Sequence, residues 1–221
     1  MSGGFAWSIR EGVGVVSLAR PPRNSLDSGL FAGLAALVDL LASGKIPPDS
    51  QSVDTALRGL VIHGQGKHFS AGADLDELGR LLRGAAAEPE FLRRNSRALD
   101  GLGRLPFPTV AAIGGCCLGA GLELALACRH RIASDNAMLA FPESGFGIIP
   151  GCGGTVRTAG LLSPGKAIEL VLGGRNLLAD EALRLGLVDC VVERGRLMDS
   201  AFALIDRLAP VILRQAGGDQ P

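Results

Sequence analysis

Residues 60–75 read LVIHGQGKHFSAGADL, and the fold class turns on how this run is divided. Leu60-Val61-Ile62 is a short apolar run that reads as a buried strand ending at Gly64. The glycine-bearing stretch from Gly64 to Gly72 is a turn, and a helical pattern starts at Asp74. The same order recurs further on, with Val110 to Ile113 as a strand, Gly114-Gly115 as a turn and Leu118 to Ala127 as a helix. Upstream, Val13 to Leu18 is a β-run broken by Pro21-Pro22, after which Asn24-Ser25-Leu26-Asp27 opens an apolar-periodic helix from about Leu26 to Leu41. Ser43 to Thr55 reads as a loop, and a second helix after Asp74 spans about Phe91 to Leu102 until Pro106 and Pro108 stop it. Downstream, Arg131 to Ala133 and Met138 to Phe141 read as short strands. Gly151-Cys152-Gly153-Gly154 opens a helix toward Leu161, and further helical patterns start at Lys166, Ala179 and Arg196. Strands alternating with helices predict an α/β fold with helices packed on a mainly parallel sheet.

The chain has 221 residues, 47% of them hydrophobic, enough to bury a sizeable core in one domain. No fixed-period repeat or charge block divides it. Residues 1–194 are read as the core domain and 195–221 as a short C-terminal helix and tail, with Gln215 to Pro221 expected to be disordered. Lys+Arg and Asp+Glu balance at 22 each, so no overall field favours nucleic acid or an anionic membrane. The longest apolar stretch, Leu118 to Cys128, carries Glu123 and falls short of the ~20 residues that span a bilayer. No export signal is read at the N-terminus. Five cysteines without a C-x-x-C spacing fit a reducing cytoplasm better than a disulfide framework.

Several chemistries fail on spacing. Gly64-Gln65-Gly66-Lys67 lacks the Walker arrangement, and Gly119-Ala120-Gly121 meets Leu124 where a dinucleotide fingerprint needs a small residue. His63, His68 and His130 have no metal-ligand spacing, so no metal site is expected. Ser70 does not sit in a G-x-S-x-G elbow. What remains is a pair of turns, Phe69-Ser70-Ala71-Gly72-Ala73-Asp74-Leu75 and Leu118-Gly119-Ala120-Gly121-Leu122-Glu123-Leu124, in which small residues lead into helices. The first N–H groups of a helix lack intrahelical partners and sit at its electropositive end. Two such turns facing one point can hold a developing oxyanion, although the glycines alone favour the plainer reading as tight helix starts. Glu123 lies one helical turn beyond Ala120 in an apolar stretch, where burial raises a carboxyl pKa toward the range useful for proton transfer. The plainer alternative is a first-turn Glu that accepts backbone N–H groups. Glu143, after Pro142 and before Ser144-Gly145, by itself reads as an ordinary turn carboxylate.

Taken in order, these two turns, then Pro142-Glu143 and Gly147 to Thr155, resemble the motif series of the crotonase superfamily, the enoyl-CoA hydratase/isomerase family. Gly173-Gly174-Arg175, Ala179 to Ala182 and Gly186-Leu187-Val188 resemble its later signature, and the resemblance runs from about Gly12 to Val192. It implies a crotonase-like ββα spiral with a shortened C-terminal helical region. It also implies an acyl-CoA substrate, coenzyme A entering as part of the substrate and no permanently bound cofactor. By that resemblance the N–H groups of Ala73 and Ala120 polarise the thioester carbonyl, and Ala71 and its neighbours Gly72, Asp74 and Leu75 bind coenzyme A. Arg23 is a candidate for its phosphates, and Gly119 and Gly151 shape the site. Glu123 activates a water for attack at Cβ while Glu143 exchanges the proton at Cα, which ranks hydration above isomerisation, decarboxylation or C–C hydrolysis. A non-catalytic partner subunit is a further alternative.

The sequence departs from the family in three places. Arg129 and His130 follow Cys128 where the family has Asp, so a local ion pair is lost or replaced. The loop through Lys45 to Arg58 is long. The chain also stops soon after Ala209-Pro210, where relatives continue through helices that cover the acyl pocket and build trimers. A homo-oligomer, trimer or hexamer, is expected, with another subunit possible and the acyl group unidentified.

Overall fold

The computed structural model describes residues 4–47, 57–83 and 89–216. The larger sheet has six strands in the order β1-β2-β3-β4-β6-β9. These are β1 (Phe5–Arg10), β2 (Val13–Leu18), β3 (Gly59–Gly64), β4 (Thr109–Ile113), β6 (His130–Ser134) and β9 (Cys190–Val192). Only the β1–β2 hairpin is antiparallel, and the other neighbours pair in parallel. A second, three-stranded sheet places β5 (Cys116–Leu118) beside β7 (Met138–Ala140) and β7 beside β8 (Leu177–Leu178).

A mainly parallel sheet needs both faces covered. On one face lie α1 (Ser28–Ala42), α3 (Pro89–Arg104) and α4 (Ala120–Ala127), whose apolar residues share one core with Val16, Leu18, Leu60, Ile62 and Ala111. On the other lies α8 (Leu197–Ala216), where Leu197, Ala201, Phe202 and Ile205 pack on Val13, Val15, Val61, Val110 and Ile132. Strand residues therefore alternate between the two cores, as the period of two requires. The remaining helices are α2 (Leu75–Arg83), α5 (Gly154–Leu161), α6 (Pro164–Gly173) and α7 (Ala179–Leu185).

β2, α1, β3 and β4 lie close to their expected positions. The helix expected from Leu118 starts instead at Ala120, because Leu118 is a strand residue: it pairs with Ala140 and donates its N–H to the Ser70 carbonyl at 2.9 Å. Gly119 then turns the chain with a positive φ of 52°. The N-terminal strand β1 was not expected. It folds back through Glu11 and Gly12, both with positive φ, the two-residue turn whose twist suits a hairpin. Gln215 and Ala216, read as tail, are the end of α8, while 217–221 lie outside the described residues, as does the 48–56 part of the long loop. The missing Asp after Cys128 is replaced structurally by Arg129, whose guanidinium donates to the Gly103 and Leu105 carbonyls at the C-terminal end of α3. A cation there complements the carbonyl end of the helix dipole.

Candidate active site

A cavity of about 420 Å³ opens where the ends of β3 and β5 meet α3 and the loop before α5, and it gathers nearly every predicted residue. Ala71, Gly72, Ala73, Asp74 and Leu75 line it from one turn, Gly119, Ala120 and Glu123 from the next, and Glu143 and Gly151 from the far side. Arg23 does not line it. Its side chain is exposed, and its backbone carbonyl accepts the Ala71 N–H at 2.8 Å, so it braces the turn from outside.

The two small-residue turns are held together by the backbone. Ser70 bridges to Cys117, Leu26 bridges to Ala73, and the buried Ser70 hydroxyl donates to the Asn24 carbonyl and accepts the Gly72 N–H. The approach is so tight that a Cβ on Gly72 would come within 2.8 Å of the Leu118 carbonyl oxygen and 3.6 Å of the Ala120 nitrogen. Among the described residues no protein acceptor takes the N–H of Ala73 or of Ala120. Ala120 is the first residue of α4. Ala73 lies in the turn that leads into α2, which starts at Leu75, one residue later than expected. It precedes Asp74, whose carboxylate caps α2 by accepting the Glu77 N–H at 3.1 Å. Asp74 thus lies in the cavity wall with its carboxylate committed to the helix start.

Glu123, on the first turn of α4, is only 2% exposed. One carboxylate oxygen, Oε1, accepts the N–H groups of Cys152 at 2.7 Å and Gly154 at 2.8 Å. The backbone donors belong to Cys152 in the loop before α5 and to Gly154, the first residue of α5, not to its own helix. Burial raises its pKa, and the two N–H groups and the nearby Arg157 guanidinium oppose the rise. Arg157 in turn donates to the Cys152 carbonyl at 2.7 Å and pairs with Asp100 of α3, fixing the loop that holds the acid.

Glu143 sits in a short 3-10 helix, Pro142–Phe146. Burial, reinforced by the charge of Glu123, lifts its carboxyl to about 7 against the opposing pull of a backbone N–H. Its Oε2 is buried without a hydrogen-bond partner among the described residues. Its Oε1 lies against Gly119, where an added Cβ would come within 2.9 Å. The site therefore brings together two unengaged N–H donors and two carboxyl groups whose environments differ. One acid is fixed by backbone donors and the other is lifted to about 7.

The remaining wall was not read from the sequence. Leu26, Phe31, Leu78, Leu92, Phe146 and Ile148 give it an apolar surface, and Asn95 of α3 interrupts it. Arg157 and the Cys152 and Gly154 donors escaped notice too, although the glycine-rich loop carrying them was seen as a helix start. His63 and His68 lie elsewhere, in a separate groove with Lys67 and Arg194. Among the described residues no cluster of His, Cys, Asp and Glu has the arrangement to hold a metal ion, and no helix is long and apolar enough to cross a membrane.

Comparison with known proteins agrees with this geometry. A Bacillus subtilis protein described as "Probable enoyl-CoA hydratase" is 35% identical over 203 residues, covering 89% of this chain and 74% of its own length. The 1.8 Å crystal structure of enoyl-CoA hydratase from Bacillus anthracis superposes with a TM-score of 0.81 at 33% identity, over 93% of this chain and 76% of that one. A Thermobifida fusca protein of enoyl-CoA hydratase type, solved in complex with CoA, superposes with a TM-score of 0.81 at 29% identity, over 99% and 87%. The family model for enoyl-CoA hydratase/isomerase matches residues 8–217. The chain, with its mainly parallel sheet and flanking helices in the crotonase fold, belongs to the enoyl-CoA hydratase/isomerase family.

Proposed function

We propose that this protein adds water across the 2,3 double bond of an enoyl-CoA thioester. The observation that carries the reading is the presence, in one cavity, of two unengaged backbone N–H groups and two acids with separated roles. The thioester oxygen is received by the N–H groups of Ala73 and Ala120. Each such donor contributes roughly 2.7–4 kcal/mol as charge builds on the oxygen. Ionised Glu123, held by Cys152 and Gly154, takes a proton from the attacking water as its oxygen bonds to Cβ. Protonated Glu143 gives its proton to Cα as the enolate collapses, so the sum is one water added. Coenzyme A arrives with the substrate, with no resident cofactor. Its adenosine end lies along Ala71, Gly72 and Leu75, and exposed Arg23 beside that turn meets the phosphates. The five free cysteines suit a reducing cytoplasm, and the working unit is a homo-oligomer, a trimer or hexamer.

Glu123→Gln and Glu143→Gln, assayed separately on a panel of enoyl-CoA esters, test the assignment. Each should lower kcat by about 10²–10⁴-fold, the usual contribution of one positioned acid or base. A large loss in only one variant, with double-bond migration retained in the other, would identify a one-base isomerase instead.

A further inference from the structure

We infer that Asn95 selects an acyl group bearing a hydrogen-bond donor, a hydroxyl above all, over a plain hydrocarbon chain. The inference rests on the acyl-CoA reading above. Asn95 is 1% exposed, lies on α3 one turn beyond Leu92, and forms part of the cavity wall among Leu92, Leu78 and Phe31. Its Oδ1 is buried without a partner among the described residues.

The other deeply buried asparagine shows how the fold uses such a side chain when it needs one. Asn24, also 1% exposed, accepts the Arg20 N–H and donates to the Gln65 and His68 carbonyls, locking the turn before α1. Asn95 does no such work. An enclosed amide oxygen left without a donor is destabilising, and leucine, of similar size, would complete an apolar wall without that penalty. A pocket for a simple hydrocarbon gains nothing from asparagine here. Oδ1 is closed off in the free protein, so a ligand hydroxyl donates to it once the amide turns toward the cavity that Asn95 lines; that bond removes the penalty on binding, and the analogue lacking the hydroxyl restores it. Discrimination of this kind exceeds what a methylene can provide. Leu92 also touches the Gly151 position, where a Cβ would come within 3.0 Å, so the amide lies on the α3 side of the cavity, where the acyl chain meets the loop before α5.

The test uses the full chain and saturated acyl-CoA esters, which bind without being hydrated. A series with the hydroxyl at C4 or beyond, clear of the carbon that hydration would hydroxylate, is compared with the plain parent of each length by titration calorimetry. One position of the hydroxyl should bind on the order of 10-fold tighter or more than its parent. Asn95→Leu should abolish that preference, strengthen binding of the plain ester and leave the thermal midpoint of the free protein equal or higher. Asn95→Ala, with more room, should also lose the preference. If plain esters bind and no hydroxyl position improves on its parent, or if the preference survives in both variants, the inference is wrong and the hydratase reading is untouched. A hydroxyl preference in binding without turnover of any enoyl ester would overturn the hydratase reading and leave the role of Asn95 standing.

Discussion

Burial and the neighbouring Glu123 lift the Glu143 carboxyl from 4.5 to about 7, with two measurable consequences. The folded protein holds this proton more tightly than the unfolded chain. Its contribution to stability is therefore full below the unfolded pKa and falls away as pH rises from about 4.5 to about 7. Glu143→Gln removes the ionisation, so thermal melts at about pH 8 should show it more stable than wild type by roughly 1–3 kcal/mol, with little difference at about pH 4. On the proposed mechanism, in which the protonated form donates to Cα, kcat/KM for hydration should fall along an alkaline limb near pH 7, a limb absent from the residual rate of the variant. Glu123 and the small residues of the two turns stood out in the sequence by residue type, a carboxylate amid leucines and alanines and glycine where no side chain fits, whereas Glu143, by itself a turn carboxylate, stood out only through the ordered motif series. The donors that hold Glu123 were not legible, since a backbone N–H leaves no mark in residue identity. Asn95 was hidden for a different reason. In PEFLRRNSRALDGLGR it is one polar residue among many, and only the packing of α3 shows which way it faces.

At the scale of elements, α3 connects the acyl wall to the acid. Leu92 and Asn95 line the cavity, and Asp100 farther along the same helix pairs with Arg157, which holds the Cys152 carbonyl. Arg157→Gln should loosen the loop and lower kcat more than it changes KM. Removing the positive charge also raises the Glu123 pKa, so the acid limb of kcat/KM should move to higher pH, with Arg157→Lys recovering part of the shift. A pH profile indistinguishable from wild type would show that the pair only braces the fold. Elements with their own periodicity, such as β2, β3, β4 and α1, could be placed from the sequence. β5, β8 and β9 could not: strands of two or three residues exist because a partner strand is there, and β9 closes the sheet against β6 across 58 residues of chain, Ile132 to Cys190. For the same reason α4 begins later than its apolar run suggested, since Leu118 has been taken by the β5–β7 ladder.

Over the whole molecule, α5, α6 and β8 leave Val156, Ile168, Leu172 and Leu178 between 58% and 75% exposed. Large exposed apolar residues grouped on successive elements mark a surface for association, in keeping with the proposed homo-oligomer. Sedimentation should find an assembly larger than one chain, and Leu172→Glu should shift it toward the monomer; a wild-type monomer at working concentration would contradict this. The two cores differ in when they can form. The face that carries Val13, Val15, Val61, Val110 and Ile132 has its cover in α8, the last of the described elements. During synthesis, therefore, the residues of this valine-rich face leave the ribosome well before the helix that hides them. A chain ending at Arg196 should collect in the insoluble fraction on expression, whereas the full chain should not. The order of the strands and the position of α8 in the chain thus set when the second core can close.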